Sequence, residues 1–271
     1  MSSHALFVDI HCHLAPGIDD GAKSWEDTLE MARLAVSEGI GTIICTPHQC
    51  GNFSHNTGDS IRKLVADVQK RLEENAIPLT VLPGADVRIE LGLVAMLRRG
   101  EVLTLADRGR HVLLELPHEV YVPLDRLLEE LGSAKITGIL SHPERNEGIL
   151  ARPALVPPLV DSGCLMQVTA GSLLGAFGPL SQELAETLVQ QGLVHFISTD
   201  AHGPKSRRPL LRQAFDRCVQ LAGEPAATLM CSTNPAEVAA GRSVTGGRIP
   251  VSTRSKASSA LGGWFGRRRT A

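Results

Sequence analysis

The sequence contains the stretch Val8-Asp9-Ile10-His11-Cys12-His13-Leu14-Ala15-Pro16-Gly17-Ile18-Asp19-Asp20-Gly21, in which a short apolar run leads into a polar loop rich in glycine and aspartate. The run predicts a buried strand, and the side chains of a strand alternate between two faces. His11 and His13 therefore point the same way and can bind one metal ion, whereas Cys12 faces away. An isolated His-x-His pair would equally fit a strand with two hydrogen-bonded histidines, so its interpretation depends on the rest of the chain.

Apolar runs of this kind recur along the chain and alternate with amphipathic segments. This alternation indicates a parallel sheet built from β-α-β units and therefore an α/β fold. Seven units favour a closed (β/α) barrel, and an open doubly wound sheet is the competing architecture. After the run that begins at Val8, the predicted strands are residues 41–46, 79–82, 111–114, 136–141, 164–169 and 194–199.

Potential metal ligands follow nearly every predicted strand. Because the carboxyl ends of barrel strands converge on one face, these side chains are expected to share a single cleft. The candidates are His11, His13, His48, Asp86, Glu115, His142, Asp200 and His202 at strand ends, together with Asp20 from the first loop. Asp19 is an alternative to Asp20, and Asp9 is expected to orient a histidine.

This ligand set predicts hydrolytic chemistry at a metal cluster. Imidazole and carboxylate groups suit zinc, manganese or iron, and nine candidates fit two or three ions better than one. Such clusters lower the pKa of bound water and polarise a phosphoryl or acyl oxygen. Arg145 follows His142 closely, and Arg207 and Arg208 follow His202. Because arginine can make bidentate bonds to phosphate, their positions favour phosphoester over amide substrates.

Composition limits the class of protein. The chain has 271 residues and a net charge of −2, which fits one large domain and offers no basic surface for nucleic acid. It contains no apolar run long enough to span a membrane and no secretory signal pattern, so a cytoplasmic location is expected. Six scattered cysteines without a C-x-x-C pair are predicted to be reduced core residues.

Several other segments are assigned structural or surface roles. The packed domain is expected to cover residues 1–241, and residues 242–271, which are rich in glycine, serine and arginine, are predicted to form a flexible, solvated tail. The histidines outside the strand-end pattern are interpreted as surface or structural residues; they are His4, His55, His111, His118 and His195.

Taken in order, the motifs resemble those of the polymerase-and-histidinol-phosphatase (PHP) superfamily. Within it, they are most similar to the CpsB/YwqE-like bacterial tyrosine-protein phosphatases of capsule and exopolysaccharide operons, over residues 7–240. The segment Pro16-Gly17-Ile18-Asp19-Asp20-Gly21 is the most specific part. The other motifs are Asp9-Ile10-His11-Cys12-His13, Thr46-Pro47-His48, Gly84-Ala85-Asp86, Leu114-Glu115-Leu116, Ser141-His142-Pro143-Glu144-Arg145 and Ser198-Thr199-Asp200-Ala201-His202.

The resemblance implies a distorted seven-stranded (β/α) barrel that holds two or three Mn²⁺ ions, with zinc, iron or magnesium as alternatives. It also implies a protein-tyrosine phosphatase that acts on a bacterial tyrosine kinase controlling capsular or exopolysaccharide synthesis. Metal-bound hydroxide would attack phosphorus directly, without a cysteine nucleophile, while Arg145 and either Arg207 or Arg208 hold the phosphate. Relatives usually carry Glu where this chain has Asp86, and the shorter side chain can shift or loosen one ion.

Other functions stay open at this point. The main alternative is a phosphatase for a small phosphomonoester such as histidinol phosphate, or an exonuclease-like phosphodiesterase. A different class is a scaffold that keeps a metal site without turnover. The sequence also leaves open whether the protein forms a homo-oligomer.

Overall fold

Nine short strands pair into two parallel sheets within residues 6–252, the part of the chain that this computed structural model describes. One sheet has the order β1-β2-β4, and the other has the order β3-β5-β6-β7-β8-β9. The strands are β1 Phe7–Cys12, β2 Ile40–Cys45, β3 His48–Gln49, β4 Thr80–Pro83, β5 Asp86–Arg88, β6 His111–Glu115, β7 Thr137–Ser141, β8 Leu165–Thr169 and β9 Phe196–Ser198. Every ladder between these strands is parallel, which confirms the predicted α/β class.

The strand count differs from the prediction of seven because two strands are each followed by a further short strand. β2 stops before Thr46-Pro47 and pairing resumes in β3, while β4 stops before Gly84-Ala85 and pairing resumes in β5. Pro47 has no N–H for a ladder. Gly84 lies so close to β2 that an added Cβ would come within 2.7 Å of the Ile44 side chain. These breaks divide the strands between two sheets, and no continuous ladder closes a barrel within residues 6–252.

The first strand nevertheless lies beside the end of the last one. The Asp200 N–H donates a hydrogen bond to the carbonyl of His11 at 2.8 Å, and the His13 N–H donates one to the carbonyl of Ala201 at 2.9 Å. The loop after β9 therefore contacts the end of β1 and the loop that follows it, which brings the first and last strands together.

The helices lie between the strands and cover their outer faces. They are α1 Trp25–Ser37, α2 Gly58–Glu74, α3 Leu93–Arg99, α4 Asp125–Ser133, α5 Glu147–Ala151, α6 Val156–Asp161, α7 Ala170–Leu173, α8 Pro179–Gln190, α9 Arg212–Ala222, α10 Glu224–Thr228 and α11 Asn234–Ala239. The helix α9 begins only at Arg212, because Arg207 has a left-handed φ of 47° and Pro209 follows. None of the helices in residues 6–252 is long and apolar enough to cross a bilayer.

Two apolar clusters occupy the two faces of the strands. Val112 and Leu114 of β6 belong to the larger cluster, which includes the buried sides of the helices, whereas Leu113 belongs to the smaller one. Because strand residues alternate between faces, the strands supply side chains to both clusters. The smaller cluster includes Val8, Ile10, Ile44, Leu113, Ile139, Leu165 and Phe196, from six of the strands. Burial on both faces explains why the strands read as nearly continuous apolar runs.

The beginning of the predicted tail packs against the domain. The Ile249 N–H donates a hydrogen bond to the carbonyl of Gly192 at 2.8 Å, and the Ser252 N–H donates one to the carbonyl of Ala222 at 2.9 Å. The buried His195 also contacts this segment through a hydrogen bond of 2.8 Å between Nε2 and the carbonyl of Gly247. The contacts therefore extend the packed region beyond residue 241. The rest of the predicted tail, with Arg267-Arg268-Arg269, and His4 lie outside the described residues.

His195 should make the stability of the protein depend on pH. Its Nδ1 accepts a hydrogen bond of 3.0 Å from the Met166 N–H, and burial lowers its pKa. Below the ordinary histidine pKa of about 6.5 the unfolded chain therefore binds more protons than the folded protein, and stability falls as the pH falls. We expect the free energy of unfolding, measured by urea titration with a chelator present, to fall from pH 7 to pH 5 by less in His195→Gln than in the wild type. An equal fall in both proteins would contradict this role.

Candidate metal centre

The ends of the strands and the loops beside them bring all nine predicted ligands into one cluster. Their nitrogen and oxygen atoms form four overlapping groups, and within each group these atoms lie within 4.8 Å of one another. The groups are His13, Asp20, His48 and His202; His11, His142 and Asp200; His11, His13 and Asp86; and His48, Asp86 and Glu115. Because several residues belong to two groups, the arrangement fits neighbouring ions that share ligands better than a single isolated ion.

Asp86 lies at the centre of this cluster and gives the strongest reason to expect a cation. Both of its carboxylate oxygens are buried without a hydrogen-bond partner among the described residues. Its Oδ2 is 3.5 Å from His11 Nε2, 3.6 Å from His48 Nδ1 and 3.8 Å from His142 Nε2. A buried carboxylate without hydrogen bonds is costly unless it is paired or coordinates a metal. The donor set around Asp86 therefore fits a metal ion.

Hydrogen bonds at one ring nitrogen orient three of the histidines. His11 Nδ1 is 2.8 Å from Gln167 Oε1, and His202 Nδ1 is 3.0 Å from the carbonyl of Asp200. His13 Nδ1 is 2.7 Å from Asp19 Oδ2. Since these oxygens accept, each Nδ1 carries the proton and each Nε2 is left with a lone pair. The Nε2 atoms of His11 and His13 are 3.2 Å apart, so they can share one ion as predicted from their spacing.

The structure distinguishes between the two aspartates of the first loop. Besides His13, Asp19 accepts hydrogen bonds from the backbone N–H groups of Gly21 at 2.9 Å and His48 at 3.1 Å. Its oxygens are thus used to shape the loop. Asp20 Oδ1 is 3.4 Å from Nε2 of both His48 and His202. The geometry favours Asp20 as the ligand and assigns to Asp19 the orientation of His13, so the alternative ligand assignment of Asp19 is not supported.

Asp9 acts on the backbone rather than on an imidazole ring. It accepts a hydrogen bond of 3.1 Å from the His11 N–H and another of 3.1 Å from the Thr199 N–H, and it also binds the Thr199 hydroxyl. Burial raises the pKa of Asp9 to about 6. Asp9 therefore ties β1 to the segment that precedes Asp200, and it positions His11 through the main chain.

Two arginines meet Asp200 at the edge of the cluster. Arg145 Nη1 and Arg207 Nη2 both contact Asp200 Oδ2, the latter at 2.6 Å, while Asp200 Oδ1 faces His11 Nε2 at 3.3 Å. Burial opposes ionisation of Asp200, but His11 and the guanidinium groups hold its pKa well below the ordinary aspartate value. Arg208 is exposed. Of the two neighbouring arginines, Arg207 is therefore the one that contacts Asp200.

The backbone is held in unusual conformations at three of these residues. His142, Asp200 and Arg207 have left-handed φ values of 34°, 48° and 47°. Residues other than glycine adopt such values at a cost and keep them where the surroundings enforce them, often at functional sites. The three residues are the predicted ligand His142, the Asp200 that contacts both arginines, and Arg207, which is one of these arginines.

Gln167, Glu144 and Phe177 complete the site and were not assigned a role from the sequence. Gln167 is a polar residue inside an apolar run, a signal that could have revealed it. The buried Glu144 accepts hydrogen bonds from the Thr169 N–H at 2.9 Å and the Ser172 hydroxyl at 2.7 Å, which fixes the loop that carries Arg145. The Arg145 guanidinium carbon lies 4.2 Å from the ring centre of Phe177. No sequence pattern points to this last contact.

Burial adjusts the protonation of the cluster. It lowers the pKa of His13 to about 4, with the neighbouring His202 adding to the shift, and it lowers the pKa of His142. At neutral pH these imidazoles are uncharged, which is the form that binds metal ions. Burial and the nearby Asp86 raise the pKa of Glu115 to about 7. Cation binding at Glu115 would therefore release a proton near neutral pH.

A parallel α/β fold with imidazole and carboxylate groups beside paired arginines is typical of metal-dependent hydrolases that act on phosphate esters. A family model described as capsular polysaccharide synthesis, CpsB/CapC, matches residues 7–240. The chain therefore belongs to the CpsB/CapC family.

Known proteins of this family resemble the chain over most of its length. Tyrosine-protein phosphatase YwqE of Bacillus subtilis is 39% identical over 202 residues, which cover 74% of this chain and 79% of that protein. Tyrosine-protein phosphatase CpsB of Streptococcus pneumoniae is 26% identical over 237 residues, which cover 85% of this chain and 97% of that protein. A crystal structure from work on these two proteins, described as unique metal-dependent tyrosine phosphatases, has a TM-score of 0.84 and 34% identity and covers 91% of this chain and 100% of its own.

Replacing Asp86 by asparagine should separate the stability of the metal-free protein from metal binding. At pH 10, above the pKa of about 9 to which Asp20 and Asp86 raise His48 against the effect of burial, Asp86→Asn removes a buried carboxylate that has no protonated histidine beside it. The metal-free variant should therefore melt at or above the temperature of the metal-free wild type. A hundredfold excess of Mn²⁺ over its Kd should raise the wild-type Tm by about 5 °C or more. We expect Asp86→Asn to lose at least half of this rise, measured by calorimetry.

The exposed Asp67 on α2 provides the matched control. Asp67→Asn should leave both the metal-free Tm and the rise with Mn²⁺ unchanged. A rise in Asp86→Asn equal to that of the wild type would show that Asp86 does not bind the ion.

Proposed function

We propose that the protein is a manganese-dependent protein-tyrosine phosphatase that acts on a bacterial tyrosine kinase regulating capsular or exopolysaccharide synthesis. The observation that carries the proposal is the convergence of Arg145 and Arg207 on Asp200, beside nine potential metal ligands. The names of the related phosphatases support the substrate class and the dependence on metal. The family description supports the connection with capsule synthesis.

The metal ions would be held by the nine clustered side chains, and we propose two or three ions. The mixture of imidazole and carboxylate ligands suits manganese, and zinc, iron and magnesium are the alternatives to be compared. When bound, such ions supply an activated water and polarise the phosphoryl oxygens. The chain itself supplies the orientation of the ligands through Gln167, Asp19 and the carbonyl of Asp200.

The two guanidinium groups provide the phosphate-binding part of the site. Arg145 is held between Asp200 and the ring of Phe177, and Arg207 contacts the same carboxylate oxygen. Planar guanidinium groups bind phosphate oxygens bidentately and remain charged at all relevant pH values. Tyrosine, with a pKa near 10, is a better leaving group than the aliphatic alcohol of serine or threonine.

A cysteine nucleophile does not fit this chain. All six cysteines are free and buried, as the sequence predicted. Burial raises the pKa of Cys45 and of Cys164 to about 12, so neither forms the thiolate that a covalent mechanism requires. We therefore propose direct attack of an activated water on phosphorus without a phosphoenzyme.

The same proposal covers the architecture and the setting of the enzyme. We propose that the strands form a distorted barrel, which is seven-stranded when β2 with β3 and β4 with β5 are each counted as one interrupted strand. The proposal is supported by the hydrogen bonds that join the end of β1 to the loop after β9 and by the apolar cluster shared by six strands. Residues 1–241 would form the catalytic part of the phosphatase domain, and the segment that follows packs against it as far as Ser252. Six free cysteines fit a reducing, cytoplasmic compartment. Self-association is a further possibility that gel filtration would test.

Metal dependence and substrate can be tested together with protein stripped by a chelator. We expect Mn²⁺ to restore hydrolysis of a tyrosine-phosphorylated peptide above the rates with zinc, iron or magnesium. His13→Ala should lower kcat/KM by about 100-fold or more, because it removes a ligand of two groups. The control is His118→Ala, since His118 is exposed and belongs to none of the four groups.

Three outcomes of this experiment would redirect the proposal. Activity on histidinol phosphate alone would keep the metal cluster and indicate a small-molecule phosphatase, and activity on single-stranded DNA would indicate a phosphodiesterase. No activity with any metal would indicate a scaffold.

The assignment of Arg207 rather than Arg208 is tested by two neighbouring substitutions. We expect Arg207→Ala to lower kcat/KM for the phosphotyrosine peptide by about 100-fold, as the loss of a charged partner to phosphate would. Arg208→Ala should change it by less than about threefold, because surface charges contribute little. The opposite ranking of the two variants would assign the phosphate contact to Arg208.

A further inference from the structure

An apolar pocket is lined in part by Arg207, one of the two arginines that contact Asp200. Its volume is about 320 Å³, within the range of small-ligand sites. The lining combines aliphatic and aromatic side chains with two neighbouring arginines from the loop before α9. The lining residues are Gly171, Leu174, Ala176, Phe177, Thr199, Arg207, Arg208 and Leu210. We call it the Phe177 pocket. Of the nine predicted ligands and the two arginines that contact Asp200, only Arg207 belongs to this lining, so a phosphate bound by Arg207 would have an apolar neighbour.

Phe177 connects this pocket with the phosphate-binding groups. Its ring centre lies 4.2 Å from the guanidinium carbon of Arg145 and 5.8 Å from that of Arg207. The two guanidinium groups therefore lie between the acidic Asp200 and an aromatic ring. A ligand with an apolar group next to its phosphate could bind the arginines and the pocket at the same time.

We propose that the Phe177 pocket holds the aromatic ring of the phosphorylated tyrosine and thereby selects aryl over alkyl phosphates. This inference rests on the proposed function. In phosphotyrosine the ring is separated from phosphorus by a single oxygen, so the ring must dock directly beside the groups that hold the phosphate. Aromatic rings prefer apolar and aromatic contacts, which Phe177, Leu174 and Leu210 provide. A phosphoserine or a small alkyl phosphate would leave the pocket unfilled.

A second cleft near the cluster is less suited to a ring. It has a volume of about 230 Å³ and includes Phe53, Arg88 and Glu115 in its lining. The ring of Phe53 already stacks on His48, with 5.2 Å between the ring centres and an angle of 23° between the planes. This cleft borders predicted metal ligands rather than Arg145 and Arg207. The position of the arginines therefore favours the Phe177 pocket.

The test compares the binding of two phosphonates that cannot be hydrolysed at a P–O–C bond. Phenylphosphonate carries a ring and methylphosphonate does not, while both offer the same charged group. We expect calorimetry with the Mn²⁺-loaded full chain to show that phenylphosphonate binds about 10-fold more tightly. Leu174→Ser changes a side chain that is 40% exposed and lines the pocket. This substitution should weaken the binding of phenylphosphonate at least threefold and leave the affinity for methylphosphonate unchanged.

Phe177→Ala should weaken both ligands, because Arg145 loses its support, but it should weaken phenylphosphonate more. The matched control is Leu180→Ser, which changes a leucine that is 68% exposed and lies outside the pocket lining. It should alter neither affinity.

Other outcomes would overturn the inference. If Leu174→Ser has no effect and Phe177→Ala weakens both ligands equally, Phe177 only supports the arginines. If Phe53→Ala selectively weakens phenylphosphonate while Leu174→Ser does not, the ring binds in the second cleft. A wild type that hydrolyses phosphotyrosine peptide but binds both phosphonates equally would refute the pocket and leave the proposed function intact. A wild type with no phosphatase activity would refute the function, while the phosphonate affinities would still test the pocket.

Discussion

Burial of negative charge at the end of the strands is the constraint on which this site depends. Asp86 and Asp200 are almost completely shielded from water and lie among histidines whose rings are held by their own hydrogen bonds. Ionised carboxylates are kept in such surroundings only when cations or strong donors compensate them. Asp200 has two guanidinium groups as partners, whereas Asp86 has no hydrogen bond of its own among the described residues. The histidines lie beside both carboxylates, and the two arginines contact Asp200, so these groups surround the buried negative charge with hydrogen-bond donors and positive charge.

Much of the architecture follows from local patterns in the sequence. Parallel strands buried on both faces produce apolar runs, and a parallel sheet places the ends of its strands at one edge. Two simple rules therefore predicted that ligands such as His11, His142 and Asp200 would meet. The alternation of strand side chains also predicted that His11 and His13 face the same ion, and their Nε2 atoms are close in the structure.

Features that depend on contacts between distant segments could not be predicted in this way. The strand breaks after β2 and β4 arise from Pro47 and from the close packing of Gly84, and they turn seven runs into nine strands. The roles of Asp19 and Asp20 differ because only the former is within reach of three hydrogen-bond donors. The contact between Phe177 and Arg145 joins loops that follow different strands, so no spacing in the sequence reveals it.

The two oxygens of Asp200 face different parts of the site. Oδ1 is turned towards the histidines, and Oδ2 is turned towards Arg145 and Arg207. A phosphate bound by these arginines would compete with the Asp200 carboxylate for the same guanidinium groups, so Asp200 would lower their affinity for phosphate. A cation at Oδ1 would weaken the hold of Asp200 on the arginines and so strengthen their attraction for phosphate. Thermodynamic reciprocity then requires phosphate to increase the affinity for that cation by the same factor.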